Sequence, residues 1–456
     1  MQCPIGDAAY AEQVVGKRVA KSVDILTKIQ ELPDVHCALH LLRYQTGRMD
    51  YITRTTPAPL CNRALSNFDS AVRYAFEGIV GFGCTDSQWR QAVLPCRYSG
   101  LGLRSSSFHA DPSYVASRAA VHELCRAIWT GWTLSSRDEV HAAVVRINSK
   151  LEPEDHLTVA GNFDDIPSQR TISDKLSKRD METLQSASQS YDVAKMNTYA
   201  APGVNRWLDE PPSRTLDNYL SSAELIFSVK LTLGVDVADG NSLCRYCATG
   251  VDMKGIHANS CTAGGDCNLR HNQMRDKLYR WALRGRLNPE LEKAGILDEP
   301  AVTIPSLRRP ADVLVDDTSN HLQKMALDVK VINALGPGHF TDSLVGGLQA
   351  ADKYRLQAME FQNTAAQCAQ RGVRFEPMVF TCQGGVQSNA EAILTSIAEA
   401  VAKAEGSVPS VVKAQMLADF SRTLVRSSSR AVLRRAARYD LSGRYSRIMD
   451  EMETLT

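Results

Sequence analysis

Apolar residues recur at helical spacing through most of the first half of the chain. Val14, Val15, Val19, Val23, Ile25, Leu26 and Ile29 form one stripe that predicts an amphipathic helix over residues 8–32. Leu32-Pro33-Asp34 ends it, and a second helix is expected from Val35 to Gln45. After a break at Thr53-Arg54-Thr55-Thr56-Pro57, Phe68, Val72, Tyr74, Phe76 and Ile79 predict a third helix over Ala64–Val80. The run Trp89 to Ser105 reads as a loop carrying two glycines, Gly100 and Gly102. Residues 106–235 read as helices over Tyr114–Thr130, Ser136–Leu151, Ser173–Met196 and Leu216–Leu233. Polar breaks at Glu152-Pro153, Ala160-Gly161, Ala201-Pro202-Gly203 and Pro211-Pro212 separate them. Trp129 and Trp132 are expected in a core or an interface.

The period changes at residue 309. Ala311–Val315 and Ala326–Ile332 are short β-type runs, separated by the polar turn Asp316–His321. Alternation along the second run puts Asp328 and Lys330 on one face and Leu327, Val329 and Val331 on the other. Charge in a mainly apolar strand pair is costly unless it is paired or binds metal. Two neighbouring carboxylates are relieved by a hard divalent cation such as Mg²⁺, and a nearby lysine can orient water and stabilise charge on a phosphate. On these residues alone, an exposed aspartate opening one strand and an Asp/Lys pair on an edge strand are the ordinary reading. Further on, Ser343–Arg371 reads as one long helix, Phe375–Phe380 as a third strand, Gly384-Gly385 as a turn and Ala390–Ala402 as a closing helix.

Composition changes this picture in one place. The 456 residues, 44% hydrophobic and 23% charged with a formal net charge of +1, describe an ordinary globular chain of about three domains. No apolar window reaches membrane-spanning length, and the N-terminus lacks a secretory signal pattern. Eight of the twelve cysteines are scattered, as buried thiols in a reducing intracellular compartment would be; the other four fall between Cys244 and Cys267. Cys244-x2-Cys247-x9-His257-x3-Cys261 supplies four ligands for a closed tetrahedral Zn²⁺ site. A rival set takes Cys267 and His271 as its second pair. In the tail, Arg422, Arg426, Arg430, Arg434 and Arg438 recur every four residues, joined by Arg435, Arg444 and Arg447. On a helix this makes a basic stripe able to track phosphates; a solvated face or a disordered end is the alternative.

Several of these segments resemble one family in order along the chain. Pro310-Ala311-Asp312 followed by Asp328-Val329-Lys330 resembles the PD-(D/E)xK pattern of restriction-like endonucleases. Cys244, Cys247, His257, Cys261 and then Arg270-His271-Asn272 resemble the zinc knuckle and RHN box that precede this nuclease in non-LTR retrotransposon reverse transcriptases. Leu94-Pro95 with Ser99-Gly100-Leu101-Gly102-Leu103-Arg104-Ser105, together with Tyr51–Thr55 and Phe68-Asp69, is similar to that family's segment after the polymerase palm, with Ser99 in place of the usual first glycine. No Tyr/Phe-x-Asp-Asp motif occurs, so the chain looks like the C-terminal portion of such a protein, and polymerase activity is not expected from it alone.

The resemblance implies an α+β protein with a mainly helical N-terminal half, a small zinc knuckle and a small α/β restriction-endonuclease-like domain. Its segments would be 1–105 (thumb region), 106–240 (helical linker), 241–272 (knuckle and RHN box), 273–405 (endonuclease) and 406–456 (basic helical tail). It implies that Asp312 and Asp328 hold Mg²⁺, that Lys330 positions or activates water, and that Glu292 completes the metal shell, with Glu290 close enough to compete for that role. Arg270, His271, Lys353, Arg422, Arg426, Arg430 and Arg434 would contact nucleic acid. The expected activity is a Mg²⁺-dependent endonuclease that nicks target DNA and exposes a 3′ hydroxyl for reverse transcription, in the nucleus or cytoplasm. DNA, with element RNA as a second candidate, would be the partner. The alternatives are a catalytically inactive, zinc-dependent nucleic-acid-binding remnant and a plain helical scaffold.

Overall fold

A computed structural model describes residues 4, 6–131, 139–158, 165–297, 309–316 and 324–435. Trp132, the break at Ala160-Gly161, most of the expected turn at 316–321, and Arg438, Arg444 and Arg447 lie outside the described residues. The fold is α+β, mainly helical with a single four-stranded mixed sheet among the described residues. No helix among them is long and apolar enough to cross a membrane. The chain divides into two compact units, Met1–Ser188 and Gln189–Thr456. The expected linker 106–240 is therefore not one body, because its first part packs with the N-terminal helices.

In the first unit, α1 (Ala8–Gln30) and α2 (Val35–Gln45) start where Asp7 and Asp34 accept backbone N–H groups. After α3 (Asp50–Thr55), α4 (Asn62–Val80) buries Leu65, Phe68, Val72, Phe76 and Ile79, packs on α1, and ends at Gly81 in the left-handed region. A Thr85/Gln88 capping box starts α5 (Asp86–Val93), so the run expected to be a loop opens as a helix. Helices α6 (Ala110–Ala120), α7 (His122–Ile128), α8 (Glu139–Asn148) and α9 (Gln169–Ser186) complete the unit, and Val115, Val140, Val144, Ile147, Ile172 and Leu176 form a core between α6, α8 and α9. Trp129 is 63% exposed rather than buried.

The glycine-containing loop is tightly specified. Ser99 sits at φ 63°, which explains why a glycine would suit that position. Asp69 of α4 accepts from the Ser105 hydroxyl at 2.7 Å and from the N–H of Ser106 at 2.8 Å, pinning the loop's end. A methyl group at Gly100 would lie 1.9 Å from the Leu94 carbonyl oxygen, whereas one at Gly83 would meet nothing within 4 Å. Gly100→Ala is expected to destabilise the first unit by about 2 kcal/mol or more and Gly83→Ala by less than about 0.5 kcal/mol. Urea unfolding curves check this, and equal midpoints would refute the packing argument.

The second unit begins with α10 (Ser190–Tyr199), separated from α9 at 187–189, so one expected helix is two. A Ser221/Glu224 capping box starts α11 (Ser222–Leu233), and the short α12 (Ile256–Ser260) follows. Helix α13 (Asp266–Arg284) takes in Arg270-His271-Asn272. Strands β1 (Glu290–Leu291), β2 (Val313–Val315) and β3 (Met325–Ile332) are antiparallel neighbours. The predicted long helix is broken into α14 (Phe340–Val345), α15 (Gln349–Glu360) and α16 (Thr364–Gln370), which cross to β4 (Arg374–Thr381), parallel to β3. Helices α17 (Ser388–Glu405) and α18 (Pro409–Arg435) close the chain.

The sheet is covered on both faces. Val313, Val315, Leu327, Val329, Met378 and Phe380 pack with α13, α17 and α18. Leu314, Ala326 and Phe375 pack with Cys368 and Val373 on the other face, joined by Met359 and Ala365 of α15 and α16. Pro377 is tolerated because β4 is an edge strand.

Candidate metal and carboxylate centres

The register that sets Val313 opposite Leu327 puts Asp312 across from Asp328 one step further on. Directly opposed residues share a face, with Cβ atoms roughly 5 Å apart. Asp328 and Lys330 share the face that also carries Leu314 and Ala326, and Asp312, the residue before β2, lies near enough for its charge to act on both. Asp312 Oδ2 accepts the N–H of Val329 at 2.7 Å, and its Oδ1 lies 3.4 Å from His271 Nε2. Lys330 Nζ lies 3.0 Å from Asp328 Oδ1. The two carboxylates are mostly buried, at 16% and 13% side-chain exposure. Burial, then the charge of Asp312, raises the proton affinity of Asp328 against the pull of Lys330. Burial acts the same way on Asp312, but the His271 hydrogen bond and charge, the Val329 N–H and Lys330 outweigh it and hold that carboxyl down. Asp312 and Asp328 are both hard oxygen donors, the type that Mg²⁺ prefers. Asp328 and Lys330 line a cavity of about 460 Å³ between the sheet and α15–α16.

The other residues expected here are placed differently. Glu292, at φ 46°, gives its carboxylate to Arg275 and, at 2.6 Å, to Arg309, while its N–H donates to the Asp312 carbonyl. These pairs brace the entry to β2. Glu290 pairs with Lys293 at 2.6 Å. His271, expected on nucleic acid, instead orients Asp312. Lys353 lies 3.4 Å from Asp342 and does not line the cavity.

Cys244, Cys247, His257 and Cys261 form the second centre. Their ligand atoms all lie within 4.8 Å of one another, and this is a Cys3His cluster able to hold zinc. Cys247 Sγ is 3.7 Å from Cys261 Sγ and 3.4 Å from His257 Nε2. A tetrahedron with Zn–S bonds near 2.3 Å has S···S edges of about 3.8 Å, so the spacing fits the ion. The local sequence explains the arrangement. Ala248 at φ 57° turns the knuckle back so that Cys244 N–H reaches the Thr249 carbonyl at 2.8 Å. Asp252 accepts the N–H groups of Lys254, Ile256 and His257, which starts α12 and presents the histidine. Hydrogen bonds from the Thr249 side chain and backbone pull the Cys247 thiol down to about 6, which favours thiolate. The rival pair does not join: Cys267 donates to the Cys261 carbonyl at 3.3 Å, and His271 belongs to Asp312.

The residues expected to form a nucleic-acid surface are engaged by other protein groups, and Arg270 and Arg422 are buried. Arg270 is 3% exposed and donates to the Asn259 side chain and carbonyl, joining α13 to α12. The arginine stripe of α18 faces carboxylates. Arg422 pairs with Glu210 and Asp419, Arg426 with Asp217, and Arg430 with Glu224. Arg434 and the fully buried Arg435 share Asp266. The fourfold spacing thus fastens α18 to the segment 210–224 and to the start of α13. Arg434 and Arg435 also flank the Tyr246 ring, which lies so close to Gly264 that a methyl group there would sit 2.9 Å from it. Asp266 and Tyr246 are contributors the sequence pattern did not single out. Compared with protein-family models and with curated protein sequences, the chain matches none.

Proposed function

We propose that the second unit is a metal-dependent DNA endonuclease module of the restriction-like kind, derived from a retroelement and carrying a structural zinc knuckle. The observation that supports this reading is Asp328 and Lys330 lining a cavity from one face of β3, with the charge of Asp312, the residue before β2, acting on both. Asp312 and Asp328 would hold Mg²⁺, which supplies neutralisation of phosphate charge when bound. Lys330 presents an ammonium beside Asp328, where it can hydrogen-bond the attacking water and a phosphate oxygen. His271 and the Val329 N–H fix Asp312 in its ionised form and orientation. Water adds to phosphorus, the P–O3′ bond breaks, and the leaving oxygen takes a proton to become the 3′ hydroxyl, with a 5′ phosphate on the other fragment. Zn²⁺ in the Cys3His cluster would hold the knuckle against α13, whose Arg270 and His271 reach Asn259 and Asp312 respectively. The alternative of an inactive nucleic-acid-binding remnant is less favoured, since its basic stripe is consumed in ion pairs.

The test is nicking of a supercoiled plasmid by zinc-loaded protein with and without added Mg²⁺. Omitting Mg²⁺ is preferable to chelation, which would also strip zinc. Open circles are expected only with Mg²⁺, and Asp328→Asn should slow their appearance by about a hundredfold or more. Equal rates for both proteins, or none for either, would remove the reading.

A further inference from the structure

The cavity beside Asp328 and Lys330 has a wall that the carboxylate chemistry does not use. Its sides are Tyr354, Phe361 and Phe375, with Gln357 and Arg309 supplying polar groups. Phe375 belongs to the core, but Phe361 is 62% exposed. The position of Phe361 is forced by the backbone. Apolar periodicity predicts one helix from Ser343 to Arg371, yet the chain breaks where Gln362 (φ 49°) and Asn363 (φ 55°) are left-handed in succession. Two such non-glycine residues cost of order 1–3 kcal/mol each. The break lets α16 pack Ala365 and Cys368 on the sheet, and it leaves the Phe361 ring out of the core and lining the cavity.

A volume near 460 Å³ lies within the roughly 300–1,000 Å³ of small-ligand pockets. Aromatic faces with an amide at the edge suit a nucleobase, since bases stack on such rings for about 1–3 kcal/mol each. Arg309 and Lys330, ion-paired with Glu292 and Asp328, line the recess and can hydrogen-bond an adjoining phosphate. We infer that this recess takes the base of the nucleotide next to the scissile phosphate. A base in a continuous duplex must first be flipped out of the stack, at a cost of a few kcal/mol, whereas an unpaired base enters with little cost. The substrate class is therefore DNA with an unpaired nucleotide at the cut: a single strand, a bulge or a frayed junction. The siting beside a scissile phosphate rests on the nuclease reading; the base recess itself does not.

The experiment uses the full chain carrying Asp328→Asn, zinc-loaded and without Mg²⁺, so that no strand is cut. A single-stranded oligonucleotide containing one 2-aminopurine is titrated, and the same strand is titrated when fully paired. Saturable change in 2-aminopurine emission is expected with the single strand, at an affinity at least about fivefold above the duplex. Adding Phe361→Ala should weaken it roughly 5- to 150-fold, while Phe361→Trp should retain it. Circular dichroism should be unchanged, because the ring is not part of the core. Equal affinity for duplex and single strand, no binding, or indifference to Phe361→Ala would overturn the inference. Plasmid nicking with a failed titration removes only the recess, and a successful titration without nicking removes only the nuclease.

Discussion

Cys244→Ser combined with Cys247→Ser is expected to take the protein from one bound zinc per chain to none and to unfold the knuckle. The size of the effect follows from how little apolar burial the knuckle has of its own. Its buried cluster consists of Cys244, Val251 and Cys261, with Ala238, Tyr246 and Ala263 partly covered. Only a single bridge, Leu243 to Gly250, pairs its extended parts. Burying a valine-sized side chain contributes about 1.5–3 kcal/mol, whereas ordering each residue's backbone costs about 1–2 kcal/mol. A segment of this length cannot stay ordered on those terms. Structural zinc in small modules supplies roughly 10–16 kcal/mol of apparent binding free energy, which closes the gap. The loss should spread, because Asn259 beside the knuckle holds Arg270 and the Ala263 carbonyl accepts from Arg435. Metal analysis and limited proteolysis across residues 241–265 check the expectation. A Cys368→Ser variant, which alters a buried thiol that α16 packs on the sheet, should keep the zinc. Retention of near-stoichiometric zinc by the double variant would exclude the cluster as the site.

The two centres differ in how far they could be read from residue order. Chelating spacing is a local property: Cys-x2-Cys on a knuckle and His-x3-Cys on one helical turn bring ligands together almost regardless of the rest of the chain. The strand pair is nearly as local, since alternation puts Asp328 and Lys330 on one face and a short connection puts Asp312 opposite. Those features, and the α+β class, were legible. The fate of the charged side chains was not. Arg422, Arg426 and Arg430 are neutralised by Glu210, Asp217 and Glu224, some 206 to 212 residues earlier. Periodicity says that the stripe exists but not what faces it. The ion pairs of Glu292 were illegible for the same reason: its position before the strand is regular, but Arg275 and Arg309 close on it from separate segments. The break at Gln362-Asn363 was illegible because neither residue is glycine or proline, and only tertiary constraint forces both into the left-handed region.

Asp266→Ala is expected to destabilise the second unit by about 3–5 kcal/mol, far more than its single charge suggests. Asp266 is 7% exposed and receives Arg434 at 2.6 Å as well as Arg435, whose side chain is wholly buried. Removing a buried carboxylate strands its cation where water cannot solvate it, and that desolvation penalty dominates the cost. Arg435 would keep the carbonyls of Ala263 and Ala431, which satisfy hydrogen bonds but not the charge. The contrast is the Arg284–Glu405 pair, where the side chains are 43% and 39% exposed. Glu405→Ala should cost no more than about 1 kcal/mol, because solvent already screens that pair. Urea unfolding of zinc-loaded protein compares the two. Similar small losses would mean that Asp266 is not the counter-charge that fastens α18 to the start of α13. A double replacement, Asp266→Leu with Arg435→Met, separates charge burial from packing: it should recover most of the loss, since apolar side chains of similar volume need no partner. If the double variant is as unstable as Asp266→Ala, the penalty lies in lost packing around Tyr246 and not in an uncompensated guanidinium.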